Sequence, residues 1–171
     1  KMSRILFLHY NDTEGLMKKR HVFSRSVLIR TDVASLFHFH LDPRNLPVIS
    51  PPFPKVTVEY ISDTPLKEGS RVTVLLPMLV QSVRWEISID CVQYPAVISD
   101  LQLQGPFAYW IHHHRFQESP NGTLMTDEVE FLPPSPLIPG FLIKGMLTVM
   151  FLYRHYKTKK YFESLKQLPY G

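Results

Sequence analysis

Residues 133–168 read PPSPLIPGFLIKGMLTVMFLYRHYKTKKYFESLKQL. The run Pro133-Pro134-Ser135-Pro136 closes whatever precedes it. From about Pro139 to Leu168 the chain then reads as one helix of roughly 25 to 30 residues, within the broad length distribution of globular helices. Leu137 to Tyr153 is almost wholly apolar and is followed by Arg154, His155, Lys157, Lys159 and Lys160, which mimics a membrane span with a positive flank. Lys144 near the middle argues against spanning. A helix apolar on all sides is also what a sheet wrapped around it requires, so the expectation is a buried helix with no stable membrane insertion.

Upstream of this helix lie six strand-like runs: Lys55 to Ser62, Arg71 to Leu79, Arg84 to Gln93, Val97 to Gln104, Phe107 to Glu118 and Thr123 to Leu132. Lys67-Glu68-Gly69-Ser70, Tyr94-Pro95, Gly105-Pro106 and Pro120-Asn121-Gly122 mark the breaks. Short links between consecutive strands make an antiparallel meander. Before it, His21 to Ile29 reads as a strand, and Thr31 or Asp32 caps a short helix through Leu41. A second helical turn starts near Asp42-Pro43, with proline at a position where its missing N–H costs nothing, and ends by Ser50-Pro51-Pro52. The order is β, α, α, six β, then a long α. This is an α+β chain in which a seven-stranded curved antiparallel sheet has one face to bury, against the long helix and the two short ones. A curled sheet gripping one helix leaves a cavity.

Length and composition fit one domain. The chain has 171 residues, 44% of them hydrophobic and 20% charged, ordinary globular usage that excludes disorder and fibrous architectures. Residues 1–20 look like an appendage, with translation starting at Met17, and 21–171 form the domain. The net charge of +4 gathers in residues 1–20 and 154–171 and not across the body, which disfavours a nucleic-acid groove. The single cysteine, Cys91, falls in the alternation Trp85, Ile87, Ile89, Cys91, reads as a small buried hydrophobe and fits a reducing cytoplasm.

The chemistry concentrates in Gly105 to Phe116, GPFAYWIHHHRF. On a strand Trp110, His112, His114 and Phe116 share one face. Across the next turn Met125, Asp127, Val129 and Phe131 form a mostly apolar face that should point inward, with Asp127 the odd member. A buried carboxylate needs donors, and neighbouring imidazoles supply them. Two readings stand side by side: these groups orient or exchange a proton with a ligand oxygen, or they satisfy one another while the ligand meets apolar walls. His-x-His with Asp127 could also start a metal site, but nothing completes it. His38 and His40 lie roughly 200° apart on a helix, so no metal and no cofactor is expected. The chain has no P-loop, dinucleotide fingerprint, Gly-x-Ser-x-Gly elbow or cysteine set.

Several segments together carry a family resemblance: Phe37, Asp42-Pro43-Arg44-Asn45-Leu46, Pro51-Pro52-Phe53, Leu66 to Ser70, Arg84-Trp85, Gly105-Pro106-Phe107, Trp110-x-His112-x-His114-x-Phe116, Gly122-Thr123, Thr126 to Val129 and Arg154-His155. From about His21 to Tyr156 the chain resembles the SRPBCC superfamily, which comprises START, polyketide cyclase/dehydrase and birch-pollen-allergen-like proteins. The likeness is strongest to its bacterial branch of small stand-alone ligand-binding proteins. The resemblance implies a helix-grip fold with a deep cavity used for lipids, quinones, polyketides or isoprenoids. Members of this branch carry names such as cyclase/dehydrase or cell-division inhibitor, and fold alone does not choose among these activities.

The expectation is therefore a cytoplasmic binder or carrier of an apolar small molecule. Its walls are Trp85, Ile87, Leu101, Leu103, Trp110, Phe116, Val129, Phe131 and the helix residues Leu142, Met146, Val149 and Tyr153, and its polar end is His112, His114 and Asp127. A cyclase/dehydratase using His112 or His114 with Asp127 as acid and base is the alternative. A third reading is docking on a membrane or partner through the basic C-terminal end.

Overall fold

The computed structural model describes residues 20–52, 55–77 and 82–166. The N-terminal appendage with Met17, Phe53 of the family pattern, the end of the third strand at Met78-Leu79 and the last residues of the long helix lie outside them.

Strand β1 (His21–Ile29) leads into α1 (Val33–His40) through Asp32, whose carboxylate accepts the Ser35 backbone N–H at 2.7 Å as an N-cap. The turn Pro43–Asn45 repeats the device with Asp42, which accepts from the Arg44 N–H at 3.0 Å, and α2 (Leu46–Ile49) ends before Pro51. The meander comes next as β2 (Thr57–Ile61), β3 (Arg71–Pro77), β4 (Ser82–Gln93), β5 (Val97–Gln104), β6 (Tyr109–Ser119) and β7 (Gly122–Leu132), and α3 (Gly140–Leu165) closes the chain.

All pairings are antiparallel in the order β1-β7-β6-β5-β4-β3-β2, so the first strand returns to lie beside the last. This is the seven-stranded helix-grip architecture expected from the sequence. The β6–β7 hairpin depends on Gly122, whose φ of 134° is open to glycine, and a Cβ there would overlap the Ile29 carbonyl oxygen. Gly122→Ala should therefore cost about 1–3 kcal/mol. A melting temperature several degrees below the parent's checks this; an unchanged melt contradicts it.

Two apolar clusters fill the inner side of the sheet. One joins Val33, Leu36, Phe37, Phe39 and Ile49 from the short helices to Ile89, Ile98, Phe116 and Met125 of the sheet and Phe162 of α3. The other joins Phe23, Trp110, Val129 and Phe131 to Leu147 and Phe151 of α3. The buried stripe Leu147, Phe151, His155, Thr158 and Phe162 faces the sheet, flanked by the partly buried Ile143, Met150 and Tyr161. The expectation of a helix buried on all sides is thus corrected: a sheet contacts one side of a cylinder, and the opposite side of α3 faces outward. No helix among the described residues is long and apolar enough to cross a membrane.

One further expectation changes because of the bulges in β4. Its pairing with β5 shifts between Glu86 and Ile87 and again between Ile89 and Cys91. After the second shift Cys91 pairs with Ser99 on the outer face and is half-buried instead of sharing the face of Ile89. Burial, then Glu68 and Asp90, push its thiol pKa up, which makes it a poor nucleophile.

Candidate functional site

Between the two clusters runs a buried layer of titratable side chains. On β7, Asp127 sits between Met125 and Val129 and has no solvent exposure. On β6, His112 and His114 sit between Trp110 and Phe116, as the alternation requires, and His114 is the cross-strand partner of Asp127. On α3, His155 lies one turn beyond Phe151 and drops into the same layer.

The geometry centres on Asp127. His112 Nε2–H donates to Oδ1 at 2.9 Å, and His155 Nε2–H donates to Oδ2 at 2.5 Å. His114 Nδ1 lies 2.6 Å from Oδ1, at an angle outside hydrogen-bonding geometry. Asp100 of β5, the cross-strand partner of His112, places Oδ2 3.4 Å from His112 Nδ1. His112 therefore bridges two carboxylates, while His40 of α1 packs on His114 with ring centroids 5.0 Å apart.

These contacts set the protonation pattern. Burial disfavours the His112 imidazolium, but its interactions as donor to the Asp100 and Asp127 carboxylates outweigh it and raise the pKa to about 9. Burial raises Asp127 in turn, yet the adjoining imidazoles, His114 first and then the hydrogen-bonded His112 and His155, hold it well below the usual carboxylate range. Burial and the neighbouring His112 charge push His114 down. Burial and His114 push His40 down to about 3. An imidazolium and a neutral imidazole thus lie side by side, with ring centroids 4.1 Å apart.

Asp100, His112 and His114 each offer one donor atom, all within 4.8 Å of one another. An ion there would have to displace the proton that His112 holds between two carboxylates. It would also lie in a layer whose carboxylates already act on the half-buried Arg154 cation.

Of the predicted residues, Trp110, His112, Phe116, Asp127, Val129 and Phe131 are buried on the inner face, and Trp85, Ile87 and His114 are half-buried beside them. Leu101 and Leu103 are not walls. Asp100 faces inward with His112, so Leu101 and Leu103 point to the outer face, and Leu103 is exposed. Leu142, Met146 and Val149 lie on the outward side of α3, while Tyr153 is half-buried. Asp100, His40 and His155 are members of the layer that sequence reasoning did not place there.

Among the described residues two open hollows stand out, and neither lies in this layer. One of about 440 Å³ borders Arg30 to Val33 and the β6–β7 turn; the other, of about 780 Å³, lies over Glu59, Thr73, Arg84 and Gln104. Around the layer itself aromatic rings pack closely, with Trp85–Trp110 at 4.9 Å, Phe107–Trp110 at 4.7 Å and Phe23–Phe151 at 5.3 Å between centroids.

The model of the family "Polyketide cyclase / dehydrase and lipid transport" matches residues 29–151, which include β6, β7 and the first half of α3. The chain belongs to this family. Its fold is shared by a START superfamily protein from Mycobacterium smegmatis at 14% identity and a TM-score of 0.69, over 85% of this chain and 99% of that one. It is shared too by protein Ms6760 of the same organism at 20% identity and a TM-score of 0.64, over 84% and 92% of the two chains. The ginseng major latex-like protein 151 from Panax ginseng aligns at 11% identity and a TM-score of 0.63, over 84% and 97%. No curated protein sequence matches the chain. The matched region includes His112, His114 and Asp127, and His155 lies just beyond it.

Proposed function

We propose that this protein binds or carries, in the cytoplasm, an apolar small molecule of lipid, quinone, polyketide or isoprenoid type. The molecule lies between the sheet and α3, with an oxygen function against the Asp127 layer. The observation that carries this reading is unspent hydrogen-bonding capacity in the interior. His40 Nε2, His155 Nδ1, Arg154 Nε and Trp85 Nε1 are buried without partners, and buried polar atoms ordinarily have them. His40 Nδ1–H already donates to the Leu36 carbonyl at 2.8 Å, so Nε2 is an acceptor, whereas Arg154 and Trp85 offer donors. A guest with a hydroxyl or carbonyl group supplies what these atoms lack, and its apolar body replaces contacts among Trp85, Trp110, Phe131 and Phe151. Because those rings pack closely, entry requires α3 to shift from the sheet.

Melting the full chain with single fatty acids, quinones, polyketides and isoprenoid alcohols tests this. A bound compound at a hundred times its dissociation constant adds about 2.7 kcal/mol, which raises the melting temperature by several degrees. No shift with any class contradicts the reading.

The adjacent imidazolium and neutral imidazole favour a second reading, a cyclase/dehydratase in which His112 acts as acid and His114 as base. Turnover lost in His114→Ala with compound binding retained selects the enzyme over the carrier; binding without turnover in the parent selects the carrier.

A further inference from the structure

The outward side of α3 carries Phe141, Leu142, Met146, Val149, Leu152 and Tyr156, all exposed, with Phe141 and Val149 at 71% and 69%. They lie opposite the stripe Leu147, Phe151, His155, Thr158 and Phe162 that packs on the sheet. From Phe141 to Tyr156 this face runs about 22 Å at 1.5 Å per residue. Single exposed apolar residues are ordinary, but a contiguous face marks an interaction surface. The residues at the C-terminal end of this face identify the partner. Half-buried Tyr153 and exposed Tyr156 stand there, then Lys157, Lys159 and Lys160. Lys160 is tied to Glu163 at 3.0 Å, and Lys159 has no carboxylate partner among the described residues.

We propose that this face docks the protein on an anionic lipid bilayer. Phe141 to Leu152 seat at the boundary of headgroups and acyl chains, the tyrosines lie at headgroup level, and the lysines meet lipid phosphates. Apolar, then aromatic with a polar tip, then cationic is the order of environments met on leaving a bilayer. A second copy of the chain fits less well. Parallel helices would set lysines against lysines, and antiparallel ones would set lysines against the partner's Phe141 and Leu142, whereas an anionic membrane suits both ends of the face. The docking face lies opposite the stripe that packs on the sheet, so its residues are distinct from the Asp127 layer.

Flotation of the full chain with phosphatidylcholine vesicles containing one third phosphatidylglycerol, at low salt, tests the proposal. The parent should float with these vesicles and much less with phosphatidylcholine alone. Lys159→Glu with Lys160→Glu should lower the bound fraction roughly tenfold or more. Leu142→Glu with Val149→Glu should abolish binding. All four positions are exposed, so both variants should keep the parent's melting curve, which confirms that they fold. Three results would overturn the proposal: a parent that stays with the lipid-free fraction, an undiminished Leu142→Glu/Val149→Glu variant, or a parent dimer in light scattering that this variant converts to monomer.

Discussion

Replacing Asp127 by asparagine is expected to lower the melting temperature by roughly 10 °C or more, the largest effect of any single substitution in the chain. The carboxylate accepts from His112 and His155, lies against His114 and has no access to water. Asparagine keeps its shape but offers one oxygen in place of two, turns an amide N–H toward groups that are themselves donors, and leaves the His112 imidazolium with Asp100 alone. Breaking a buried pair by removing one partner costs about 3–5 kcal/mol, and in a domain of this size each kcal/mol corresponds to about 2–4 °C. Glu128→Gln is the control. That side chain is a third exposed and pairs loosely with Arg115 at 3.5 Å, so its loss should change stability by about 0.5 kcal/mol or less. Thermal denaturation followed by circular dichroism compares the two; equal melting temperatures would show that the buried layer contributes nothing to stability.

Stability is also expected to peak between about pH 6 and 7 and to fall on both sides, each limb set by a different histidine. His112 has its pKa raised to about 9. The folded state therefore binds this proton more tightly than the unfolded chain does. That contribution is fully present below the ordinary histidine pKa of about 6.5 and is lost as pH rises toward 9. His40 and His114 are shifted the other way, His40 to about 3. In the folded state both take up a proton at lower pH than in the unfolded chain, so the unfolded chain is protonated first and stability falls as pH drops below about 6.5. Asp127, held low, adds to the acid limb only below about pH 4. Each limb amounts to a few kcal/mol. His40→Phe should flatten the acid limb between pH 6 and 4 while leaving the alkaline limb in place, because Phe39 and Phe116 already surround that ring. Urea denaturation across pH 4 to 9 measures both limbs, and a flat profile contradicts this protonation pattern.

Much of the architecture was legible in the residues because local chemistry and tertiary demands agree there. Asp32 and Asp42 cap the helical segments that their sequence positions indicate. Pro51 follows α2 and Pro133 follows β7, and the period-two alternation of β6 and β7 places His112, His114 and Asp127 on one inner face. The errors fall where alternation and burial part company. In β5 the apolar set Val97, Leu101 and Leu103 faces outward, and the polar set Asp100 and Gln102 faces inward. Asp100 serves His112, and Gln102 exchanges hydrogen bonds with the backbone of Phe107. A sequence displays polarity but not the partner that satisfies it, so the wrong face of β5 looks buried. In α3 apolar residues occupy every side of the first half, leaving no asymmetry from which to tell the sheet-facing stripe from the exposed one. His155 was visible as part of the family pattern, yet its role emerges only when Phe151 and Phe162 fix the rotation of the helix. Asp100 could have been found from one consideration: an imidazole inward on β6 demands a partner on each neighbouring strand.

The same layer links stability to binding. A protein that keeps one imidazolium, one neutral imidazole and five unpartnered polar atoms between its sheet and helices holds them at a cost that a simple apolar core would avoid. Occupation of those atoms by the proposed guest would recover part of that cost. Native mass spectrometry of the full chain, purified without detergent, tests this most directly. The predicted spectrum contains a species heavier than the chain by one small molecule, which organic extraction releases as an apolar compound with a hydroxyl or carbonyl group. A spectrum of bare chain alone, unchanged after incubation with fatty acids, quinones, polyketides and isoprenoid alcohols, would contradict the account.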